Sequence, residues 1–314
     1  MKCLVTGGAG FIGSHVCDAL LSRGHEVIAL DNLLSGKREN LDPRVRLVVL
    51  DIRSAEAAGL IDSERPQALF HLAAQMDVRK SVEDPRHDAD ANILGFLNLL
   101  EASRKAGVKK VVFSSTGGAI YGEQEVFPAP ETHPTRPLSP YGVSKASGEL
   151  YLGYYRAQYG LASVALRYAN VYGPRQNAHG EAGVVAIFSQ RLVGGKPCTI
   201  YGTGKQTRDF VFGPEVAQAN ALALEKDVQG AINIGTGIET SVNEMYGGLA
   251  EAAGTKEPAQ YAPGKPGEQL RSCVDPSLAK KVLGWEPRVA LRDGLRRTLE
   301  HFRGAAPTGV KAAS

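Results

Sequence analysis

The segment Leu4-Val5-Thr6-Gly7-Gly8-Ala9-Gly10-Phe11-Ile12-Gly13-Ser14-His15 constrains the fold more than any other stretch of the chain. A short β-branched apolar run gives way to glycines and then to an apolar helical pattern, the order strand, turn, helix. Without side chains at Gly7 and Gly10 the backbone can approach a pyrophosphate. The helix opening at Phe11 and Ile12 offers unpaired N–H groups to that anion, and Gly13 lets helix and strand pack closely.

Such a turn belongs in a parallel sheet, and the rest of the sequence supplies one. Short runs of strand character recur at 3–6, 26–30, 46–50, 68–72, 110–114 and 163–167, with helical stretches between them. They are apolar throughout, as strands buried on both faces require, and the alternation with helices implies right-handed βαβ crossovers. The expected fold is α/β, a doubly wound parallel sheet of Rossmann type with a smaller, interleaved C-terminal lobe. After about Asn170 the rhythm loosens around Gly173-Pro174-Arg175, Gly194-Gly195-Lys196-Pro197 and residues 263–267. The run 231–234 reads as a strand returning to the main sheet. The expected division is a dinucleotide-binding domain over 1–170, rejoined by about 206–238, and a substrate lobe over 171–314. The tail from Gly304 is expected to fray.

Composition narrows the class further. The 314 residues are enough for a large domain with a smaller one, and 43% hydrophobic with 22% charged residues is ordinary for a packed enzyme. A net charge of +3 without a block of one sign leaves no footprint for nucleic acid. Cys3, Cys17, Cys198 and Cys273 form no CxxC pair and have no histidine at ligand spacing, so neither a metal site nor a disulfide framework is expected, and a cytoplasmic location with reduced thiols is. No apolar run is long enough for a membrane helix, and the glycines from Gly7 onward interrupt any signal-peptide core.

The second strand run ends in Leu30-Asp31-Asn32, about 20 residues past the glycines, where a carboxylate can accept from adenosine ribose hydroxyls. The same carboxylate repels a 2′-phosphate, which selects NAD over NADP, although Lys37 and Arg38 follow in the next loop. Asp51-Ile52 closes the third strand, and Asp51 can accept from the adenine amino group or cap the next helix. The run His71-Leu72-Ala73-Ala74 ends the fourth in small residues that leave room for a flat cofactor. The lone His71 reads as structural. Asn92 reads equally well as a tether for backbone near the site or as a polar residue within a helix.

Beyond the fifth strand come Ser114-Ser115-Thr116 and then Ser139-Pro140-Tyr141-Gly142-Val143-Ser144-Lys145. Tyr141 and Lys145 lie four apart, so on a helix they share a face. A free phenol, with a pKa of ~10, is a poor base at neutral pH, and a nearby ammonium favours its ionised form. Tyr141 can then take a proton from a hydroxyl while NAD takes a hydride from the same carbon, with Thr116 hydrogen-bonding the reacting oxygen.

With these residues and Tyr121-Gly122, the runs Leu166-Arg167-Tyr168-Ala169-Asn170-Val171-Tyr172-Gly173-Pro174, Gly202-Thr203-Gly204, Arg208-Asp209-Phe210-Val211, Asn233-Ile234-Gly235 and Leu283-Gly284-Trp285 complete a pattern. Over almost its whole length the chain resembles the extended short-chain dehydrogenase/reductase family, and within it is most similar to the UDP-glucose 4-epimerases. The resemblance implies a bound NAD regenerated in each turnover and a transient 4-keto sugar. It adds Gln75, Ser114 and Tyr168, with Tyr141 and Lys145 themselves, to the cofactor contacts. It assigns the UDP-hexose to Thr116, Tyr141, Asn170, Val184, Thr199, Tyr201, Arg208, Arg271 and Ser272. Tyr201 would stack on uracil, and Asn170, Arg208 and Arg271 would meet the diphosphate. Ser272 stands where the family limits the substituent at sugar C2, so its small size implies room for an N-acetyl group.

The pattern also departs from its relatives. Thr116 replaces a serine found in several members, and either hydroxyl serves. Gly117 and Gly118 stand where sugar 4,6-dehydratases carry an acidic pair, which argues against dehydration. The lysine that some epimerases place near Met76 is missing. Rival readings are a UDP-glucuronate 4-epimerase or a nucleotide-sugar reductase on the same scaffold, and, in another class, a dinucleotide-binding regulator without chemistry. The presence of Tyr141, Lys145 and Thr116 together disfavours the last. Helices around 92–104 and 141–158, carrying Phe96, Leu97, Tyr151 and Tyr155, are expected to pair with their copies in a four-helix bundle, making a homodimer.

Overall fold

A computed structural model describes residues 1–178, 183–264 and 269–305. Of the stretches singled out above, residues 265–267 and the tail beyond residue 305 lie outside the described residues. The first half of the chain runs β1 (Lys2–Thr6), α1 (Phe11–Leu21), β2 (Glu26–Asp31), β3 (Arg46–Val49), α2 (Ala55–Glu64), β4 (Ala68–His71), α3 (Val78–Glu83), α4 (Pro85–Ala89), α5 (Gly95–Ala106), β5 (Lys110–Thr116), α6 (Pro140–Tyr159) and β6 (Ala162–Tyr168). The second half runs β7 (Asn170–Tyr172), α7 (Val184–Val193), β8 (Thr199–Tyr201), β9 (Thr207–Phe212), α8 (Gly213–Glu225), β10 (Gly230–Ile234), β11 (Glu239–Ser241), α9 (Val242–Ala253), β12 (Gln260–Ala262), β13 (Arg271–Ser272), α10 (Ser277–Leu283) and α11 (Leu291–Ala305).

Seven strands form one sheet in the order β10-β6-β5-β4-β1-β2-β3, and every neighbouring pair is parallel. Alternate side chains of each strand leave on opposite faces, and both faces are covered. Cys3, Val5, Phe70 and Val112 pack with Val16 and Leu20 of α1 and Ala217 and Ala221 of α8. Leu4, Leu69, Val111 and Phe113 pack with Ile61 of α2, Phe96 and Leu99 of α5 and Leu152 of α6. That is why the sequence shows unbroken apolar runs rather than alternation.

Strand order reverses between β1 and β4, and the carboxyl ends of these strands open a crevice where a ligand can lie across the sheet. The strand read at 231–234 is β10, which pairs with β6 in register Ile232 to Leu166. The remaining elements enclose a separate core of Phe188, Ile200, Phe210, Met245, Leu249 and Leu295 beneath small sheets built on β9 and on the β8–β12 pair.

Of the four apolar residues noted on the helices expected to pair, Phe96 and Tyr155 point inward. Phe96 stacks on His71 with ring centroids 4.6 Å apart, and the Tyr155 hydroxyl donates to Glu101 at 3.0 Å. The apolar side chains of these helices that do stand in solvent are Leu94 at the start of α5 and Val143, Leu150, Tyr151, Tyr154 and Tyr159 along α6.

Candidate active site

At the β1–β4 crevice the glycine turn leaves no spare space. Gly7 adopts φ +66° and its N–H donates to the Leu30 carbonyl at 2.8 Å, holding the turn against β2. A Cβ on Gly7 would sit 2.7 Å from the Ala73 nitrogen, and one on Gly13 would fall 2.0 Å from the Gly7 carbonyl oxygen. Thr6 Oγ1 ties the two loops together by accepting from the N–H groups of Leu72 and Ala73, each at 3.2 Å. Helix α1 begins after Gly10, which has no side chain to cap it, and its first turn holds no acidic residue. The first-turn N–H groups of Phe11, Ile12 and Gly13 thus face the crevice without an internal anion.

Asp31 is buried, its Oδ2 accepting from Ala9 N–H at 3.0 Å and its Oδ1 from Leu33 N–H at 2.8 Å. It therefore braces the glycine turn, and each oxygen keeps a second lone pair for a hydroxyl. Asn40 joins this brace by donating to the Ala9 carbonyl at 2.9 Å, a role its place in the polar run Ser35 to Asn40 did not announce. Asn32 donates to Asp51 at 3.4 Å. The Arg53 guanidinium holds the Asp51 carboxyl well below the usual carboxylate range. Asp51 does not cap α2, because Ser54 accepts from Ala57 N–H in that place. Ile52 is buried, and its carbonyl accepts from Asn98 at 2.8 Å.

Behind β4 the loop Leu72–Gln75 is fixed by Asn92, which lies in a single π-helical turn, Asp90–Leu94, ahead of α5. Its amide accepts from Gln75 N–H and donates to the Gln75 carbonyl, both at 2.8 Å, so of the two readings the tether holds. His71 is structural: fully enclosed between Phe96 and Phe113 and bonded to Thr6, it is pulled down to about 3 by burial. A residue the sequence reading missed, Asp88, lies fully buried beside this loop and accepts from Gln75, Asn92 and Ser144.

Helix α6 begins at Pro140 with Ser139 Oγ accepting from Gly142 N–H at 3.1 Å. This start presents Tyr141 and Lys145 to the carboxyl end of β5. Gly148 makes the approach possible, since a Cβ there would meet the Phe113 ring at 2.5 Å. Lys145 Nζ donates to the Ser114 carbonyl at 2.7 Å and lies 5.8 Å from the Tyr141 ring centroid. Burial pulls the Lys145 ammonium down to about 8, with Asp88 and Glu149 opposing the change. Burial, reinforced by Asp88, pushes the Tyr141 phenol upward. Burial thus opposes the Lys145 ammonium, which is expected to draw the phenol towards the operating range.

Thr116 ends β5 with Oγ1 accepting from Ala119 N–H at 3.2 Å. A Cβ on Gly118 would lie 3.9 Å from Thr116 Oγ1 and 3.8 Å from Asn170 Oδ1, so the strand-end hydroxyl and the Asn170 amide border one small space. Tyr168, expected at the cofactor, is buried; its hydroxyl donates to Asn220 Oδ1 at 3.0 Å and accepts from Asn220 Nδ2 at 2.8 Å, and it also meets the Ser114 side chain.

On the second lobe, Val184 opens α7, Thr199 and Tyr201 lie on β8, and Arg208 and Ser272 are register partners in β9 and β13. Tyr201 is exposed and Ser272 is buried. Arg271 grips Glu239 through Nε at 2.9 Å and Nη2 at 2.5 Å, and lies 3.7 Å over the Phe127 ring. It reaches an anion only by sharing or leaving that carboxylate, and Glu239 is a partner that nothing in its local sequence marks.

Residues 3–235 match the model of the NAD dependent epimerase/dehydratase family. The chain belongs to this family. It is 46% identical over 309 residues to the UDP-glucose 4-epimerase of Mycolicibacterium smegmatis, spanning 96% of this chain and 99% of that protein. Among solved structures, a UDP-glucose 4-epimerase of Thermotoga maritima with UDP-glucose shares 51% identity, with a TM-score of 0.94 over 97% of this chain and 99% of that one. A UDP-glucose 4-epimerase of Thermus thermophilus in complex with NAD shares 50%, with a TM-score of 0.92 over 98% and 100%. The family's two chemistries leave the reaction to be argued from the site.

Proposed function

We propose that this family member is an isomerase that interconverts UDP-glucose and UDP-galactose with a bound NAD. The observation that carries the reading is Tyr141, Lys145 and Thr116 brought to the carboxyl end of β5, beside a glycine cradle and an uncapped helix terminus that fit a dinucleotide diphosphate. When bound, oxidised NAD supplies a reversible hydride acceptor and a positive charge next to the phenol.

The chain's own groups do the rest. Among the described residues the Tyr141 hydroxyl makes no hydrogen bond, so its oxygen is available to take the C4 hydroxyl proton. Lys145, anchored on Ser114, holds a positive charge beside the phenolate that results. Thr116 steadies the reacting oxygen. The 4-keto sugar then turns about its link to the diphosphate, and C4 regains its hydrogen on the other face. Holding the UDP firmly and the hexose loosely permits that turn. Asn170, Arg208, Arg271 and Tyr201 are the residues we assign to the UDP, with Val184, Thr199 and Ser272 around it. Residues 1–170 with 206–238 would carry the cofactor, and the remaining lobe the substrate.

Gly117 supports epimerisation over dehydration. A Cβ there would meet Val274 at 2.7 Å, so the position has no room for an acid. The four buried free thiols fit a cytoplasmic enzyme, and the exposed apolar stripe of α6 fits a homodimer. No helix among the described residues is long and apolar enough to cross a membrane.

The test is to incubate the protein with UDP-galactose and follow the anomeric protons by NMR, with and without added NAD. A UDP-glucose signal that grows to the equilibrium also reached from UDP-glucose is the expected result. Tyr141→Phe should lose turnover by roughly 100-fold or more while binding UDP and NAD normally. No conversion by the parent protein in either direction would overturn the assignment.

A further inference from the structure

Asp88 is fully buried, yet among the described residues it forms no ion pair. Its Oδ1 accepts from Gln75 Nε2 at 3.1 Å and Asn92 Nδ2 at 2.9 Å, and its Oδ2 accepts from Ser144 Oγ at 2.6 Å. These three donors sit on three different segments: the loop after β4, the π-turn ahead of α5, and α6 between Tyr141 and Lys145. A buried carboxylate served only by neutral donors is costly, and such groups are retained where a nearby cation offsets the desolvation.

The charged surroundings single out that cation. On α6 the neighbours are Tyr141, Lys145 and Glu149, and Glu149 is already committed to Arg167 at 2.6 Å and Ser115 at 2.6 Å. His71 on β4 is neutral in the physiological range. Asp77 in the loop caps α3, Asp84 caps α4, and Asp90 is paired with Arg53. Arg86 and His87 on α4 itself, and Arg79, Lys80 and Glu83 on the α3 helix packed beside it, are exposed. Lys145 remains as the buried positive charge, next in sequence to the Ser144 that binds Asp88 and held charged in part by that carboxylate.

We infer that Asp88 is the positioning residue of this site and the counter-charge of the Lys145 ammonium, fixing α6 to the loop Leu72–Gln75 along which the cofactor would lie. The inference rests on the reading of α6 and that loop given under Proposed function. The carboxylate does two separable things: it offers acceptors that set the spacing of three segments, and it supplies a negative charge that keeps a desolvated lysine protonated.

Asp88→Asn separates them. The amide can turn its oxygen to Gln75 and Asn92 and donate to Ser144 Oγ, so the spacing survives while the charge goes. In protein carrying 13Cε-labelled lysine, the Lys145 signal, assigned by its loss in Lys145→Met, is expected to titrate near the value of about 8 in the parent. In Asp88→Asn it should titrate lower by roughly one unit or more. The sign follows from the charge: removing an anion disfavours the ammonium, so the alkaline limb of kcat/KM against pH moves to lower pH by the same amount. NAD affinity should stay within about threefold of the parent, because the hydrogen bonds persist.

Asp88→Ala removes the acceptors as well and should weaken NAD roughly tenfold or more. Should that variant fail to fold, Ser144→Ala cuts the α6 arm alone and is expected to lower kcat several-fold with NAD affinity unchanged. A Lys145 signal that titrates identically in the parent and Asp88→Asn would overturn the counter-charge. Parent-like NAD affinity in a folded Asp88→Ala, or parent-like kcat in Ser144→Ala, would overturn the positioning role. The lysine titration and the NAD affinity need no sugar substrate, so they remain decisive even if UDP-galactose is not converted.

Discussion

Ser272 shows how a single side chain can set a substrate range from within a sheet. It is buried in β13 beside Arg208, while its neighbour Arg271 points to solvent and is held by Glu239. Two side chains on adjacent positions of one strand therefore face opposite ways, one towards the interior of the lobe and one along its surface. A hydroxymethyl group at the interior position leaves space that a larger residue would fill. On that ground UDP-N-acetylglucosamine should also be converted, and Ser272→Tyr should depress its kcat/KM by roughly tenfold or more relative to that for UDP-glucose. Competition assays with both sugars measure the ratio directly. Equal loss on the two substrates would show that Ser272 does not face the C2 substituent.

The elements that form the cofactor cradle are fixed by glycine contacts, and one of these gives a sharp prediction. The added Cβ of Gly13→Ala would lie 2.0 Å from a backbone oxygen, which cannot swing away as a side chain can. Helix α1 must lift from the turn, with destabilisation of about 3 kcal/mol and loss of NAD affinity of roughly tenfold or more. Gly59→Ala in α2 is the control, since its Cβ would meet nothing within 4 Å and should gain up to about 1 kcal/mol from helix propensity. Denaturant titration and NAD binding on the pair read both effects, and parent-like binding in Gly13→Ala would refute the close-packing argument. This cradle was legible in sequence because each of its glycines is local to one strand–turn–helix unit. So were the strands of the main sheet, since burial on both faces leaves unbroken apolar runs. Asp88 was not legible, for its acceptors are used by donors 13, 4 and 56 residues away. Glu239 was hidden in the same way, 32 residues from Arg271. Helix orientation was equally hidden where more than one face is apolar, so the sequence did not separate Phe96 and Tyr155, which the core claims, from the residues left in solvent.

At the scale of the whole molecule the unexplained surface is the outer face of α6. Val143, Leu150, Tyr151 and Tyr154 recur at spacings of seven, one and three, which places them on one stripe of the helix, and Leu150 is 76% exposed. Leu94 adds a further exposed apolar side chain at the start of α5. A contiguous apolar face of this kind on a folded chain marks an interface, and a self-complementary one closes around a twofold axis. The homodimer expected from the resemblance would therefore use this stripe rather than Phe96 and Tyr155. The consequence for activity follows from what α6 carries: its inner face holds Tyr141, Ser144 and Lys145, so a partner helix on its outer face would restrain the same segment. Light scattering should give about twice the 33.4 kDa chain mass at micromolar concentration. Leu150→Glu combined with Tyr154→Glu places two charges on the stripe and should yield a monomer. Because neither residue touches the site, kcat in that monomer should fall several-fold rather than vanish, and NAD should still bind. A parent protein that scatters as a single 33.4 kDa species would remove the dimer, and with it the reason for an apolar stripe on the back of the helix that bears Tyr141.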